Sequence, residues 1–179
     1  EAQLRALALQ GSWSMVHDHL ATYLNDHLAG AVAALELLEH LEMAHSGTPV
    51  ARDLSALHAE IEADRGVLES LMMRLHVTES RPRKATAWLA ERLVRLKLQL
   101  DDSGRGAFRL FESLEAVSLG IEGKLTLWRT LASLAPAVPD VSSLDYDTLM
   151  ARAINQRGRA EELRLAAATA ALVATQPPD

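Results

Sequence analysis

The chain has no cysteine among its 179 residues. Disulfides, thiolate nucleophiles and cysteine-based zinc sites are therefore excluded, and a reducing compartment fits. Aromatic residues are scarce, at 4% of the total. No interleaving of aromatic with basic residues occurs, so no nucleic-acid partner is expected. No run of about 18 apolar residues occurs, so no membrane span is expected. The opening Glu1 to Gln10 lacks the basic-then-apolar order of a secretory signal. There is no Gly-rich phosphate loop, no dinucleotide fingerprint and no nucleophile elbow. These absences point to a cytoplasmic protein with no motif that fixes a reaction.

What is present favours helices. Ala and Leu abound, both strong helix formers, and β-branched residues are few. Hydrophobic residues make up 49% and charged residues 23%. Those are the proportions of a globular domain, and the length suits one domain with a real core. The net charge of −6 is uneven, since nine of the eighteen Lys and Arg fall between residues 74 and 109. The simplest account of that segment is a solvated face balanced by acidic neighbours. The alternative is an anion-binding surface built from Arg81, Arg83, Lys84, Arg92, Arg95 and Lys97.

Four long amphipathic stretches follow a helical period. The first runs from about Val16 to His45, with Leu20, Leu24, Leu28, Ala31, Leu35, Leu38 and Leu41 recurring at three- and four-residue steps. Ser46-Gly47-Thr48-Pro49 ends it. The second runs from about Val50 to His76, the third from Arg105 to Leu134, and the fourth from Ser143 or Leu144 to about Ala174. Asp102 or Ser103 is placed to cap the third. A shorter helix is expected over Ala85 to Leu100, although Arg95 to Leu100 also alternates as a strand would. Residues 1–15 read as an N-terminal extension, in which Gly11-Ser12-Trp13-Ser14-Met15 has the look of a cloning junction. Residues 16–174 form one domain, and 175–179 a tail.

Rods of this length hide their apolar stripes only against each other, so a four-helix bundle is expected. Short links make the first pair and the last pair antiparallel neighbours. The long middle connection lets the third helix run parallel to the second. A homodimer through the bundle edge or the 85–100 helix is compatible with the size and Leu content.

The informative positions break the apolar period. Extending the first stripe puts His27 inside, and extending the second puts Asp64 inside, with Glu60 one turn before it. In the third helix Glu115 and Glu122 share one edge of the stripe. In the fourth, the seam 146, 149, 153, 156, 160, 163 and 167 puts Gln156 inside. Each break falls near its helix's midpoint, so the breaks are expected to share one layer. A buried carboxylate must find a partner: a metal, a cation such as Lys124 or Arg129, or hydrogen bonds. His27, the one histidine at core spacing, reads either as a hydrogen-bonded core residue or as a metal ligand. Gly30, Gly120 and Gly123 each cost about 1 kcal/mol in a helix interior. Close helix approach would explain them, and a pocket beside the backbone is the alternative.

This helix plan with mid-bundle acids resembles the ferritin-like superfamily. More narrowly, Tyr23-Leu24-Asn25-Asp26-His27-Leu28-Ala29-Gly30, Glu60-Ile61-Glu62-Ala63-Asp64-Arg65, Ser118 through Lys124 and Leu127-Trp128-Arg129 resemble a group of bacterial helical proteins to which no activity attaches. The resemblance implies a di-metal centre of iron or manganese. Di-iron members use a Glu on each of two helices and a Glu-x-x-His pair on each of the other two. This chain departs from that set. Ala63 stands where one His belongs, and Gln156 is followed by Arg159. Two functions follow. The first is a non-catalytic bundle without cofactor, structural, stress-related or partner-binding. The second is a carboxylate-bridged metal protein using Asp26, His27, Glu60, Asp64, Glu115 and Glu122, with Gln156, for oxygen or peroxide chemistry.

Overall fold

The computed structural model describes residues 2–78 and 106–173, with side chains from Asp18 onward. Among these residues there are four α-helices and no strand: α1 (Ala2–Ala44), α2 (Pro49–Arg74), α3 (Gly106–Leu134) and α4 (Tyr146–Leu172). A single 3-10 turn, Pro139–Val141, lies between the last two. The all-α expectation holds. The 85–100 segment, the caps at Asp102 and Ser103, and the basic set from Arg81 to Lys97 lie outside the described residues. The first helix starts at Ala2 rather than Val16.

Local chemistry sets the helix ends. Gly47, at φ +79°, takes the left-handed conformation that turns the chain after α1. Thr48 then caps α2, its Oγ1 accepting from the Ala51 amide at 3.4 Å, with Pro49 in the first turn. Past the end of α2, the Val77 amide donates to the Met72 carbonyl at 2.9 Å and the His76 amide to that of Met73 at 3.1 Å. This is a Schellman closure, and it forces His76 to φ 53°. Asp145 caps α4, accepting from the Thr148 amide at 3.1 Å. The Tyr146 hydroxyl donates to the Val141 carbonyl at 2.5 Å and ties the 3-10 turn to α4.

Side-chain pairs fix the helix directions. Glu42 meets His58 and Asn25 meets Thr78, so α1 and α2 are antiparallel. Tyr23 meets Thr130 across α1 and α3. Glu122 pairs with Arg157, and Arg164 lies over the Phe111 ring at 5.5 Å, which sets α3 against α4 in the same sense. Glu60 pairs with Arg159 and Asp64 with Arg152, so α2 and α4 are antiparallel too. Hence α2 and α3 run parallel. Each helix packs on two neighbours, in the cyclic order α1, α2, α4, α3.

The core is built mainly of leucine, with Leu24, Leu38, Leu41, Leu54, Leu57, Leu71, Leu114 and Leu131 all fully enclosed around Trp128. Removing that much apolar surface from water is the main stabilising term. The stripe of the second helix, Leu54, Leu57, Ile61, Asp64, Leu68, Leu71 and Leu75, is buried throughout. In α4, six of the seven seam positions are buried, and Leu163 is half-buried.

The glycines require a correction. A methyl group placed on Gly30, Gly120 or Gly123 would meet nothing within 4 Å outside its own helix backbone. Close helix approach therefore does not explain them. They border open space between the helices.

Candidate functional site

Asp64 on α2 is 1% exposed and lies halfway along the packed helices. Its Oδ2 accepts from the Lys124 ammonium of α3 at 2.5 Å and from the Gln156 amide of α4 at 3.2 Å. Its Oδ1 faces the Arg152 guanidinium of α4. Lys124 also donates to the Gln156 carbonyl oxygen, so Gln156, wholly buried, is satisfied at both ends. One turn earlier on α2, Glu60 accepts from Arg159 at 2.5 Å. Three helices thus supply one connected polar network inside a leucine core.

The charges are unequal. Asp64 and Glu60 together face Lys124, Arg152 and Arg159. Burial pushes the Lys124 ammonium below its ordinary value, and the nearby Arg152 pushes the same way. Asp64 and Glu60 pull in the opposite direction. The balance leaves the centre without surplus negative charge, and an entering cation would be repelled.

The expected layer is only partly assembled. Asp64 and Gln156 touch, and Glu60 adjoins them. Glu122, 41% exposed, is matched instead with Arg157 at 2.5 Å. Glu115 lies within electrostatic reach of Arg164. Asp26 and His27 stand on α1, at the wall of a side cavity that also reaches Asp64 and Lys124. The His27 ring packs edge-on against Tyr23, with centroids 4.6 Å apart. Its imidazole titrates below its ordinary value because it is desolvated, an effect that the Asp26 charge only partly offsets. Among the described residues, no three His, Asp or Glu side chains converge as metal ligands. The side chains present do not fit a di-metal ligand set, because Glu60, Asp64 and Glu122 each already hold a cation of the chain.

Sequence periodicity identified Asp64 and Gln156 and offered Lys124 as a partner. It missed Arg152 and Arg159, which sit on the polar edge of α4 and reach inward through long stems. The i, i+4 spacing from Arg152 to Gln156 was the available signal. Periodicity also missed Asn25, which is 5% exposed. Its amide donates to the carbonyls of Ala21 at 2.9 Å and Thr78 at 3.2 Å, tying α1 to the segment after α2. Arg129, the other cation considered for Asp64, is exposed.

The side cavity lies between α1, α2 and α3 and has a volume of about 160 Å³. Its wall is mainly apolar, formed by Ala31, Ala34, Ile61, Leu68, Leu127 and Trp128, and the three glycines named above border it. Leu119, 47% exposed, stands at its mouth. The buried Trp128 indole N–H finds no acceptor among the described residues.

No protein family, characterised protein or solved structure matches this chain. Among the described residues, no helix is long and apolar enough to cross a membrane.

Proposed function

We propose that this chain is a non-catalytic helical bundle of ferritin-like layout, whose central acids are neutralised by the protein's own cations instead of by iron or manganese. The observation that carries this reading is the occupation of both Asp64 oxygens, one by Lys124 and Gln156 and the other by Arg152. The parallel α2 and α3, joined by a long connection, support the ferritin-like layout. Without a ligand set, the centre serves to fix the register of three helices, and the role of the protein is structural or partner-binding. A buried, ion-paired polar network suits that task, because a slipped packing would strand its charges.

Elemental analysis of protein purified without chelator tests this, together with melting in the presence and absence of EDTA. The reading requires iron and manganese well below one per chain and identical melts. Stoichiometric metal with a chelator-sensitive melt would overturn it, since a bound metal must stabilise the native state.

A further inference from the structure

The side cavity has features that the ion-pair centre does not account for. Gly30, Gly120 and Gly123 lie in helix interiors, where glycine is the weakest choice short of proline. Nothing in the packing demands glycine there, because a methyl group would meet nothing within 4 Å at any of the three positions. All three border one space, Gly30 from α1 and the other two from α3. Two helices thus give up helix propensity where doing so leaves room. The volume of that room, about 160 Å³, is close to that of apolar cavities of about 150 Å³ that hold benzene.

The wall decides which chemistry suits the space. Its body is hydrocarbon, from Ala34, Ile61, Leu68 and Leu127. The charged side chains that border it are already engaged. Asp64 and Lys124 hold each other at 2.5 Å, Arg65 pairs with Glu69 at 3.0 Å, and the Asp26 charge acts on His27. Burial holds the His27 imidazole below its ordinary pKa, so it is neutral at pH 7.5. A charged guest would shed its hydration here and find no free counter-ion in return. A hydrocarbon guest has no such hydration to lose and gains by leaving water. Leu119, 47% exposed at the mouth, does not bar entry, because exposed side chains change rotamer within nanoseconds.

We propose that this cavity binds a compact, uncharged, hydrocarbon-like molecule about the size of a benzene ring. This does not depend on the metal-free reading of the polar centre.

Benzene is the probe, with benzoate and benzylammonium as charged counterparts built on the same ring. Each is titrated into the full chain at pH 7.5, and the NMR methyl signals of Ile61, Leu68 and Leu127 are followed. Benzene should shift these signals saturably, and intermolecular NOEs should connect its protons to the same methyl groups. At about tenfold excess over Kd, Tm should rise by a few degrees. Both charged rings should bind at least about tenfold more weakly than benzene. The variant Gly30→Ala/Gly120→Ala/Gly123→Ala should melt above the wild type without probe, yet bind benzene at least about tenfold more weakly, because three methyl groups then share the space. Methyl signals unmoved by benzene up to its solubility limit in the wild type would overturn the proposal. So would charged rings that bind as tightly as benzene, or a triple variant that melts below the wild type or binds benzene undiminished.

Discussion

His27 shows how a single side chain is governed by its surroundings. Burial disfavours its charged form, so its folded-state pKa lies below the ordinary value of about 6.5. Between those two values the unfolded chain binds the proton more readily. Stability from this residue is therefore present above about pH 6.5 and is lost as pH falls through the folded value. His45, also shifted down by burial, acts in the same direction. Urea midpoints at pH 7.5 and 5.0 should fall for the wild type and fall less for His27→Gln; equal losses in the two proteins would contradict this. Trp128→Ala should cost about 3–5 kcal/mol, since the ring is 1% exposed at the centre of the core. A loss below about 1 kcal/mol would show that α3 is rotated differently. Asp64 and Gln156 were legible in the sequence because a helical period marks which face is inside. The partners of Asp64 were less so, because periodicity marks where a Cα lies and not how far an arginine stem reaches.

At the scale of the element, helix ends were read to within a residue or two wherever turn chemistry was strong. Gly47 with Pro49 is the example, whereas α4 begins at Tyr146, capped by Asp145, past the expected Ser143 or Leu144. The end of α2 was harder, because a histidine does the work usually given to glycine. His76 at φ 53° carries the left-handed penalty of a non-glycine residue. His76→Gly should therefore stabilise the fold by about 1 kcal/mol, as read by chemical denaturation. Destabilisation would mean that the exposed imidazole has a task of its own. Asp145→Ala should cost about 1 kcal/mol by removing the α4 cap. The mid-helix glycines were visible in the sequence, but their cause was not. A glycine that admits a neighbour and a glycine that preserves a gap look alike until the opposite helix is in place. Since all three have room for a methyl group, each Gly→Ala change should add about 0.5–1 kcal/mol.

At the scale of the molecule, the alternation of short, long and short connections implied antiparallel outer pairs and a parallel middle pair, which the cross-helix contacts bear out. Whether the midpoints of four rods meet in one layer depends on tilt and axial offset, to which periodicity is blind. Hence Glu115 and Glu122 were grouped with Asp64 in the sequence, whereas the folded chain gives them cations at another edge. The account rests on Asp64 being held by the chain's own charges. Removing one partner of such a network strands the others, whereas replacing the set by apolar side chains of similar size removes the desolvation cost as well. The most direct measurement compares the unfolding free energies of Asp64→Leu and of Asp64→Leu/Lys124→Met/Gln156→Leu in metal-free buffer. Arg152, a third exposed, can turn to solvent in both. The account predicts a loss of about 3–5 kcal/mol for the single change and recovery of most of it in the triple. A single change that costs nothing, or a triple that loses as much as the single or more, would contradict it.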